Sequence, residues 1–362
     1  MPAGGHSGNE ILQFHCPVVV NGPRVAWAAG KHLVVYNMDA KKFEKDISSE
    51  SRHTDTIRAI AFSSDGSTVA TAGEDKRVVI ESSASSEQKE FLHGKKIMAL
   101  HIDDSNVVIF GDKFGDFYRM REGGVVESNV EVGKAEEEDD DEETSKALEL
   151  MFGHISAISM SLYSTKRNLL VSADRDEKIR IARYPRADII ESFLLKHRRY
   201  VSHLVWGNED HTVLVSGGAD GQIIEWDVSD CGRPKVIRVH QVGLDETGFH
   251  TVTCNESGKI FFVTVDDAKN LCVIEGQDQV KKWTMPFEVQ TIKSVGGTRL
   301  IVIDIHSHMH VIDSISGKVE ETVKLTSDVT GVPISYLKLV HHENLNGEER
   351  DSKRKKKGGP FS

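Results

Sequence analysis

The sequence predicts an all-β fold in which a four-stranded unit is repeated around a closed ring. Three stretches share one spacing: a hydroxyl residue lies four positions before an Asp, and a His lies 22 or 23 positions before the same Asp. The three sets are His53, Thr71 and Asp75; His154, Ser172 and Asp176; and His197, Ser216 and Asp220. A short apolar run follows each set. Self-similarity at about forty residues is typical of a β-propeller of the WD-repeat kind, because one four-stranded sheet cannot bury both of its faces alone.

Equivalent positions at the ends of the third strands predict seven blades. Trp226 ends the third strand of its repeat, and the corresponding positions lie near Tyr36, Glu81, Met120, Ala182, Ile274 and Ile312. The interval between the third and fourth of these positions is about twenty residues longer than the others, and the surplus coincides with residues 131–148. The fold class is therefore a seven-bladed WD-repeat β-propeller.

Two charged segments are predicted to be disordered. The first is an acidic insertion at about residues 131–148, placed between blades three and four, and the second is a basic tail over residues 348–362. The propeller domain is then residues 1–347. Residues 11–15 and residues 334–340 could each add a strand that closes the ring.

The recurring polar residues are predicted to be structural. A His ring can bond both the Asp and the hydroxyl group, and the Trp226 indole N–H can join the same chain of bonds. Buried polar groups need partners, which explains why these residues recur together. We call each set of His, hydroxyl residue and Asp a fastener, and we interpret its His as structural and not as a catalytic base or a ligand. Blade three carries Phe110 and Phe114 at the hydroxyl and Asp positions, so we expect it to be held by packing.

Composition is consistent with one propeller and excludes little else. The formal net charge is -11, but residues 136–143 supply eight of the negative charges, so the rest of the chain is near neutral. The four cysteines contain no Cys-x-x-Cys pair and are interpreted as reduced thiols of an intracellular protein. No segment approaches the run of about twenty apolar residues that a membrane-spanning helix requires.

Motifs for catalysis are absent from the sequence. It has no phosphate-binding loop of the Walker type, no dinucleotide-binding Gly fingerprint, no His-Glu-x-x-His and no Gly-x-Ser-x-Gly. His306, His308 and His310 alternate along one predicted strand and could bind a metal on one face. Solvated His residues on that strand are the favoured interpretation, because no carboxylate or Cys lies at ligand spacing.

Two charged segments predict a protein-binding surface. Arg175, Glu177, Lys178 and Arg180 lie in or beside the turn between the second and third strands of blade four. Arg198, Arg199 and Tyr200 lie in the connection that enters blade five. These two kinds of connection emerge on the same face of a propeller, and mixed charge beside an aromatic residue is typical of a specific interface. The alternative is that the turns are charged only because they are solvated.

A family resemblance appears at these residues. The run Ala173-Asp174-Arg175-Asp176-Glu177-Lys178-Ile179-Arg180 and the segments that follow it to Ser202 resemble the WD-repeat non-catalytic subunit of the eukaryotic tRNA (guanine-N7-)-methyltransferase. Residues 111–118 and 152–156 are similar to two further motifs of that family. Lys196 stands where the family usually has Gly, and Met160 where it often has Asp.

The resemblance implies a non-enzymatic partner protein. Such a propeller would bind a separate S-adenosylmethionine-dependent catalytic subunit as a heterodimer, stabilise it, and so permit N7 methylation of a guanosine in the tRNA variable loop. It implies no cofactor in the propeller itself, and contact with tRNA mainly through the complex.

Two other functions remain open from sequence. One is a general WD-repeat adaptor in a ubiquitin-ligase or chromatin complex, and the other is a propeller enzyme or metal protein. The tail contains a run of five cations that predicts nuclear import or additional phosphate contacts to tRNA, of which nuclear import is preferred. The run consists of Lys353, Arg354, Lys355, Lys356 and Lys357.

Overall fold

Seven antiparallel sheets of four strands each form the described part of the chain, which confirms the seven-bladed propeller. The computed structural model describes residues 16–82, 88–120, 148–242, 248–264, 266–276 and 279–325. The acidic run, both segments considered for ring closure and the basic tail therefore lie outside the described residues, apart from Leu148. All seven predicted third-strand positions fall within third strands.

Each blade consists of four consecutive strands. Blades one to three contain β1 (Val18–Asn21), β2 (Arg24–Ala29), β3 (His32–Asn37), β4 (Lys42–Lys45), β5 (Ile57–Phe62), β6 (Thr68–Gly73), β7 (Arg77–Ser82), β8 (Gln88–Leu92), β9 (Ile97–Ile102), β10 (Val108–Asp112), β11 (Asp116–Met120) and β12 (Leu148–Gly153). Blades four and five contain β13 (Ile158–Ser164), β14 (Leu169–Asp174), β15 (Ile179–Arg183), β16 (Ile190–Leu194), β17 (Val201–Trp206), β18 (Val213–Gly218), β19 (Gln222–Asp227) and β20 (Lys235–Gln241). Blades six and seven contain β21 (Phe249–Cys254), β22 (Ile260–Thr264), β23 (Asp267–Glu275), β24 (Gln279–Thr284), β25 (Val289–Val295), β26 (Arg299–Asp304), β27 (Met309–Asp313) and β28 (Val319–Val323).

The position of the acidic insertion differs from the prediction. Leu148 is buried and is the first residue of β12, which pairs with β11 as the outer strand of blade three. The extra residues, 121–147, therefore join the third and fourth strands within blade three and do not separate blades three and four. The spacing predicted a surplus before the fourth blade but could not show on which side of β12 the surplus lies.

The core lies between the blades. Seven apolar clusters of described residues each combine side chains from two neighbouring blades. The second strand of a blade is covered on both faces, so β10 and β14 are buried along their whole length, whereas the outer strand β16 is half exposed. This explains why second strands have nearly continuous small and aliphatic sequences.

Packing closes the ring between blades seven and one. The first strands of adjacent blades contact one another all the way around, and β1 contacts both β5 and β25. Trp27 and Tyr36 of blade one pack with Ile301 and Met309 of blade seven. The Trp27 indole N–H also donates to the carbonyl oxygen of Ser307 at 3.0 Å. No strand is exchanged between these two blades within the described residues.

The ring has two faces with different connections. We call the upper face the one that carries the turns between second and third strands and the connections between blades. The lower face carries the turns between first and second strands and between third and fourth strands. Antiparallel pairing fixes this division, and it places Met120 and Leu148, the described residues on either side of 121–147, at the lower face.

Candidate functional site: a charged surface on blades four and five

Blade five has the complete chain of buried polar contacts that the sequence predicted. His197 Nδ1 lies 3.1 Å from the Asp220 carboxylate, and its Nε2 lies 2.8 Å from Ser216 Oγ. The Trp226 indole N–H donates to the same hydroxyl oxygen at 2.8 Å. Asp220 also accepts the backbone N–H of Arg198 at 2.9 Å. The fastener therefore ties the connection that enters blade five to the turn and the third strand of that blade.

Blade two has the same arrangement without the Trp. His53 Nδ1 lies 3.0 Å from Asp75 Oδ2, and its Nε2 lies 2.8 Å from Thr71 Oγ1. The backbone N–H of Thr54 donates to the same carboxylate at 2.9 Å. Because both ring nitrogens have partners, the His53 ring is fixed in the interior and is not directed at a ligand.

In blade four the carboxylate comes from a different residue. His154 Nδ1 lies 3.0 Å from Asp174 Oδ2 and its Nε2 lies 2.7 Å from Ser172 Oγ. Asp176, which the spacing predicted, is exposed and does not contact the ring. Instead its backbone N–H donates to Asp174 Oδ1 at 2.9 Å, as that of Lys178 does at 3.2 Å. Asp174 thus replaces Asp176 in the fastener and fixes the backbone of the charged turn.

The residue two positions after the hydroxyl group decides which Asp is used. This residue is Gly218 in blade five, where an added Cβ would lie 2.4 Å from His197 Nδ1 and 2.7 Å from Asp220 Oδ1. Only glycine leaves room there for a carboxylate that reaches back from the turn. Blade four has Asp174 at this position, and its own side chain occupies the space. An Asp in place of the Gly is the sequence signal that the fixed spacing missed.

The same substitution recurs in blade three, which was expected to be held by packing, and in blade seven. In blade three, Asp112 lies 3.3 Å from His93 Nε2. In blade seven, Asp304 lies 3.0 Å from His310 Nε2 and 3.3 Å from His308 Nδ1. Blade three is therefore not held by apolar packing alone.

Hydrogen bonding keeps the fastener carboxylates ionised. Burial raises the pKa of Asp75, Asp174 and Asp220, but the bond from the His ring and the backbone N–H donors outweigh burial and lower the pKa of each below its usual value.

The charged turn of blade four projects from the upper face. Arg175, Asp176 and Glu177 are exposed and Lys178 is half-buried. Glu177 adopts a φ of 70°, in the left-handed region that favours glycine, and the corresponding residue of blade five is Gly221 with a φ of 71°. The turn therefore keeps the geometry of the repeat but carries Arg175 and Glu177 where blade five has the small residues Ala219 and Gly221.

The connection into blade five lies beside this turn, as predicted. Lys196 and Arg198 are exposed, and Arg199 and Tyr200 are half-buried. Burial raises the pKa of Tyr200, and the positive charge of Arg175 nearby opposes that rise. The pairing of Ile179 with Leu194 brings the two segments side by side. We call this region, formed by residues 175–178 and 195–200, the docking surface, after the partner-binding role that the sequence predicts for it.

Arg180 does not belong to the docking surface. It is 6% exposed, and its guanidinium carbon lies 4.0 Å from the ring centroid of Phe152 in blade three. One guanidinium nitrogen donates to the carbonyl oxygen of Ala187 at 2.6 Å. Its predicted role as a partner-binding residue is corrected, because strand alternation turns this side chain into the junction between blades three and four.

Exposed apolar residues on the upper face were missed by the sequence analysis. Leu195 is 69% exposed and follows the Ile179–Leu194 pair, which places it beside Lys178. Ile155 is 95% exposed and Phe114 is 59% exposed. Charge density does not indicate these apolar residues, and Phe114 was expected to contribute to packing.

The expectation of solvated His residues on this strand is wrong for His310, and the Asp304 carboxylate contacts both His308 and His310. His310 is buried, with Nδ1 3.0 Å from Thr322 Oγ1, and its ring stacks on Phe287. Within the described ranges, no group of three or more His, Cys, Asp or Glu side chains is arranged to hold a metal ion.

Cys16, Cys231, Cys254 and Cys272 are all free thiols. Among the described residues, no helix has the length and apolar character needed to cross a membrane.

The fold and its fasteners define a class of proteins, the WD-repeat β-propellers. A WD-domain, G-beta-repeat family matches residues 45–80, in blades one and two. A second family, described as the tRNA methyltransferase TRM82 WD40 domain, matches residues 121–302. That match covers half of the chain and includes the whole docking surface, and the chain belongs to this family.

Two relatives agree with this family assignment, and a solved structure agrees with the fold. The tRNA (guanine-N(7)-)-methyltransferase non-catalytic subunit wdr4 of Dictyostelium discoideum is 34% identical over 209 residues, which are 56% of this chain and 44% of that protein. The subunit TRM82 of Meyerozyma guilliermondii is 34% identical over 179 residues, which are 47% of this chain and 39% of that protein. The matched region spans less than half the length of these two relatives. The Myceliophteria thermophila Cps50 (Swd1) β-propeller domain has a TM-score of 0.64 at 12% identity over 83% of this chain and 96% of that one, and shows the fold alone.

Proposed function

We propose that this chain is the non-catalytic subunit of a tRNA (guanine-N7-)-methyltransferase. It binds a separate catalytic subunit as a heterodimer, stabilises that subunit in its active conformation, and so permits N7 methylation of a guanosine in the tRNA variable loop. The S-adenosylmethionine site and the reacting atoms belong to the catalytic subunit. The observation that carries the proposal is the family match over residues 121–302, supported by relatives that are named as non-catalytic subunits.

The docking surface is the proposed binding site for the catalytic subunit. Its backbone is held by buried carboxylates, since Asp174 accepts the N–H groups of Asp176 and Lys178, and Asp220 accepts that of Arg198. A surface whose backbone is fixed before binding loses little conformational entropy on association. The exposed Arg175 and Arg198 and the half-buried Lys178 would pair with carboxylates on the partner, and Tyr200 would be an aromatic contact among them.

Charge reversal tests the docking surface directly. We expect Lys178→Glu and Arg198→Glu to weaken binding of the cognate catalytic subunit, because each places a carboxylate opposite a carboxylate. Loss of a desolvated charge pair costs about 2 to 5 kcal/mol. Arg233→Glu is the matched control: Arg233 is an exposed cation of blade five in a turn of the lower face.

Binding is measured by gel filtration and calorimetry of the co-expressed proteins, with circular dichroism to verify folding. Folded Lys178→Glu and Arg198→Glu variants that bind as tightly as the Arg233→Glu control would move the interface to another face. A wild-type chain that forms no complex with the catalytic subunit would contradict the proposed function itself.

The basic tail is proposed to direct the protein to the nucleus. The run of five cations, residues 353–357, has the composition of a nuclear localisation signal. We expect replacement of all five by Ala to shift a fluorescent fusion toward the cytoplasm. Unchanged localisation, together with a weaker salt dependence of tRNA binding by the complex, would instead assign the run to phosphate contacts.

A further inference from the structure

Two exposed apolar side chains lie on the upper face outside the docking surface. Phe114 occupies the turn between the second and third strands of blade three, and Ile155 occupies the connection from blade three to blade four. They are 59% and 95% exposed. Single exposed apolar residues are common, but a Phe and an Ile on adjacent connections of one face form a patch that contact with a partner would bury.

Backbone contacts join this patch to the docking surface. Gly115 follows Phe114 at a φ of 109°, and an added Cβ there would lie 2.7 Å from the carbonyl oxygen of His154. The His154 N–H donates to the carbonyl oxygen of Gly115 at 2.9 Å, directly before Ile155. Two residues beyond Ile155, the carbonyl oxygen of Ala157 accepts the N–H of Arg175 at 3.1 Å. Phe114, Ile155 and Arg175 therefore follow one another across the upper face.

The Phe114 turn is rigid before any partner binds. The buried Asp112 carboxylate accepts the N–H of Phe114 at 2.8 Å and that of Asp116 at 3.2 Å. This repeats the way in which Asp174 holds the charged turn of blade four. A fixed aromatic side chain provides a large contact area at low entropic cost, which is the character of an interface anchor.

The charges around Phe114 favour a protein partner over RNA. The ammonium groups of Lys95 and Lys113 lie 5.1 and 5.4 Å from the centroid of the ring. Lys95 is also 3.3 Å from both Asp112 and Asp116, so its charge is largely neutralised within the chain. Binding of an RNA phosphate backbone requires cations that are not already neutralised. The Phe114 ring with the Lys113 ammonium beside it is better suited to a protein partner that presents an apolar side chain next to a carboxylate.

We propose that Phe114 and Ile155 form the apolar anchor of the interface with the catalytic subunit. The catalytic subunit inserts an aliphatic or aromatic side chain between them, and a neighbouring carboxylate of that subunit faces Lys113. This inference rests on the proposed function and extends the docking surface from blades four and five onto blade three. The apolar anchor excludes water at one end of the interface, and the charged turn fixes orientation at the other.

The experiment compares truncation of the anchor with truncation of an exposed apolar residue elsewhere. Phe114→Ala, Ile155→Ala and the double variant are titrated with the wild-type catalytic subunit by calorimetry or biolayer interferometry. Ile315→Ala is the matched control, because Ile315 is 66% exposed in a turn of the lower face of blade seven. We expect each single variant to bind at least tenfold more weakly, mainly through faster dissociation, and Ile315→Ala to bind as the wild type does.

Three outcomes would overturn the inference, and they are distinguishable. Wild-type affinity of the double variant, with binding lost in Lys178→Glu, would reject the anchor and leave the proposed function intact. Wild-type affinity for the catalytic subunit combined with weaker tRNA binding by the assembled complex would assign Phe114 to RNA. Failure of the wild-type chain to bind the catalytic subunit would reject the proposed function together with the anchor.

Discussion

Asp174 and Asp176 lie two residues apart at the same turn, but their roles are different. The Asp174 carboxylate is 3% exposed and accepts bonds from the His154 ring and from two backbone N–H groups. The side chain of Asp176 is solvent-exposed. We therefore expect Asp174→Ala to destabilise the fold strongly and Asp176→Ala to leave it nearly unchanged.

The magnitude follows from the bonds that are lost. A hydrogen bond to a charged group contributes about 1.5 to 3 kcal/mol, and leaving a buried donor without a partner costs about 1 to 3 kcal/mol. After the substitution, the two N–H groups of the turn can bond water, but His154 Nδ1 remains buried. We expect a loss of about 3 kcal/mol for Asp174→Ala, which at about 2 °C per kcal/mol for a large domain lowers Tm by about 6 °C. Asp176→Ala should stay within about 0.5 kcal/mol of the wild type.

The assay is thermal and urea denaturation of the purified chain at neutral pH, followed by circular dichroism. Asp174→Asn adds an internal check, since it keeps an acceptor oxygen but removes the charge and should fall between the other two variants. Equal stability of Asp174→Ala and Asp176→Ala, or a larger loss for Asp176→Ala, would refute the assignment of the fastener to Asp174.

Three further predictions test other parts of the account. Glu177→Gly should leave stability within about 1 kcal/mol of the wild type, because glycine relieves the left-handed backbone and offsets its own entropic cost; a weaker complex would then report the Glu177 side chain alone. The pKa values of Asp75, Asp174 and Asp220 are lowered in the folded chain, so the unfolded chain binds more protons in acid. Their contribution to stability is therefore complete above about pH 5 and is lost as the pH falls below about 4. A urea midpoint that does not change between pH 6 and pH 3 would contradict this. Replacing residues 131–147 by a short Gly-Ser linker, with Leu148 kept because it begins β12, should change neither Tm nor partner activation, and a large loss of either would show that the acidic run docks.

The number of blades could be predicted because it depends on a period that every blade shares. Each third strand must pack against two neighbours, so its apolar residues recur even where the fixed spacing of His, hydroxyl residue and Asp is lost. Met120 and Ile312 were located without that spacing. The choice between Asp174 and Asp176 could not be derived from the period. The choice depends on the residue two positions after the hydroxyl group. If it is Gly, as Gly218 is, the carboxylate from the turn has room to reach the His; if it is Asp, its own side chain fills that space.

The candidate site was predictable in its charged part and not in its apolar part. Charge density in a turn marks exposed residues, which located Arg175, Lys178 and Arg198. Arg180 belongs to the same run of sequence, but its strand position corresponds to Ile224 in blade five, and the side chain enters a junction between blades. Ile155 and Phe114 are apolar residues, a type that indicates burial. Their exposure becomes evident only from the structure of the connections in which they lie.

The most direct test of the central claim is to measure N7-methylguanosine in tRNA by mass spectrometry of digested nucleosides. The cognate catalytic subunit is assayed alone, with this chain, and with the Lys178→Glu, Arg198→Glu double variant. We expect full methylation only with the wild-type chain and a large loss with the folded double variant. Equal methylation by the catalytic subunit alone, or with the double variant at wild-type levels, would contradict it.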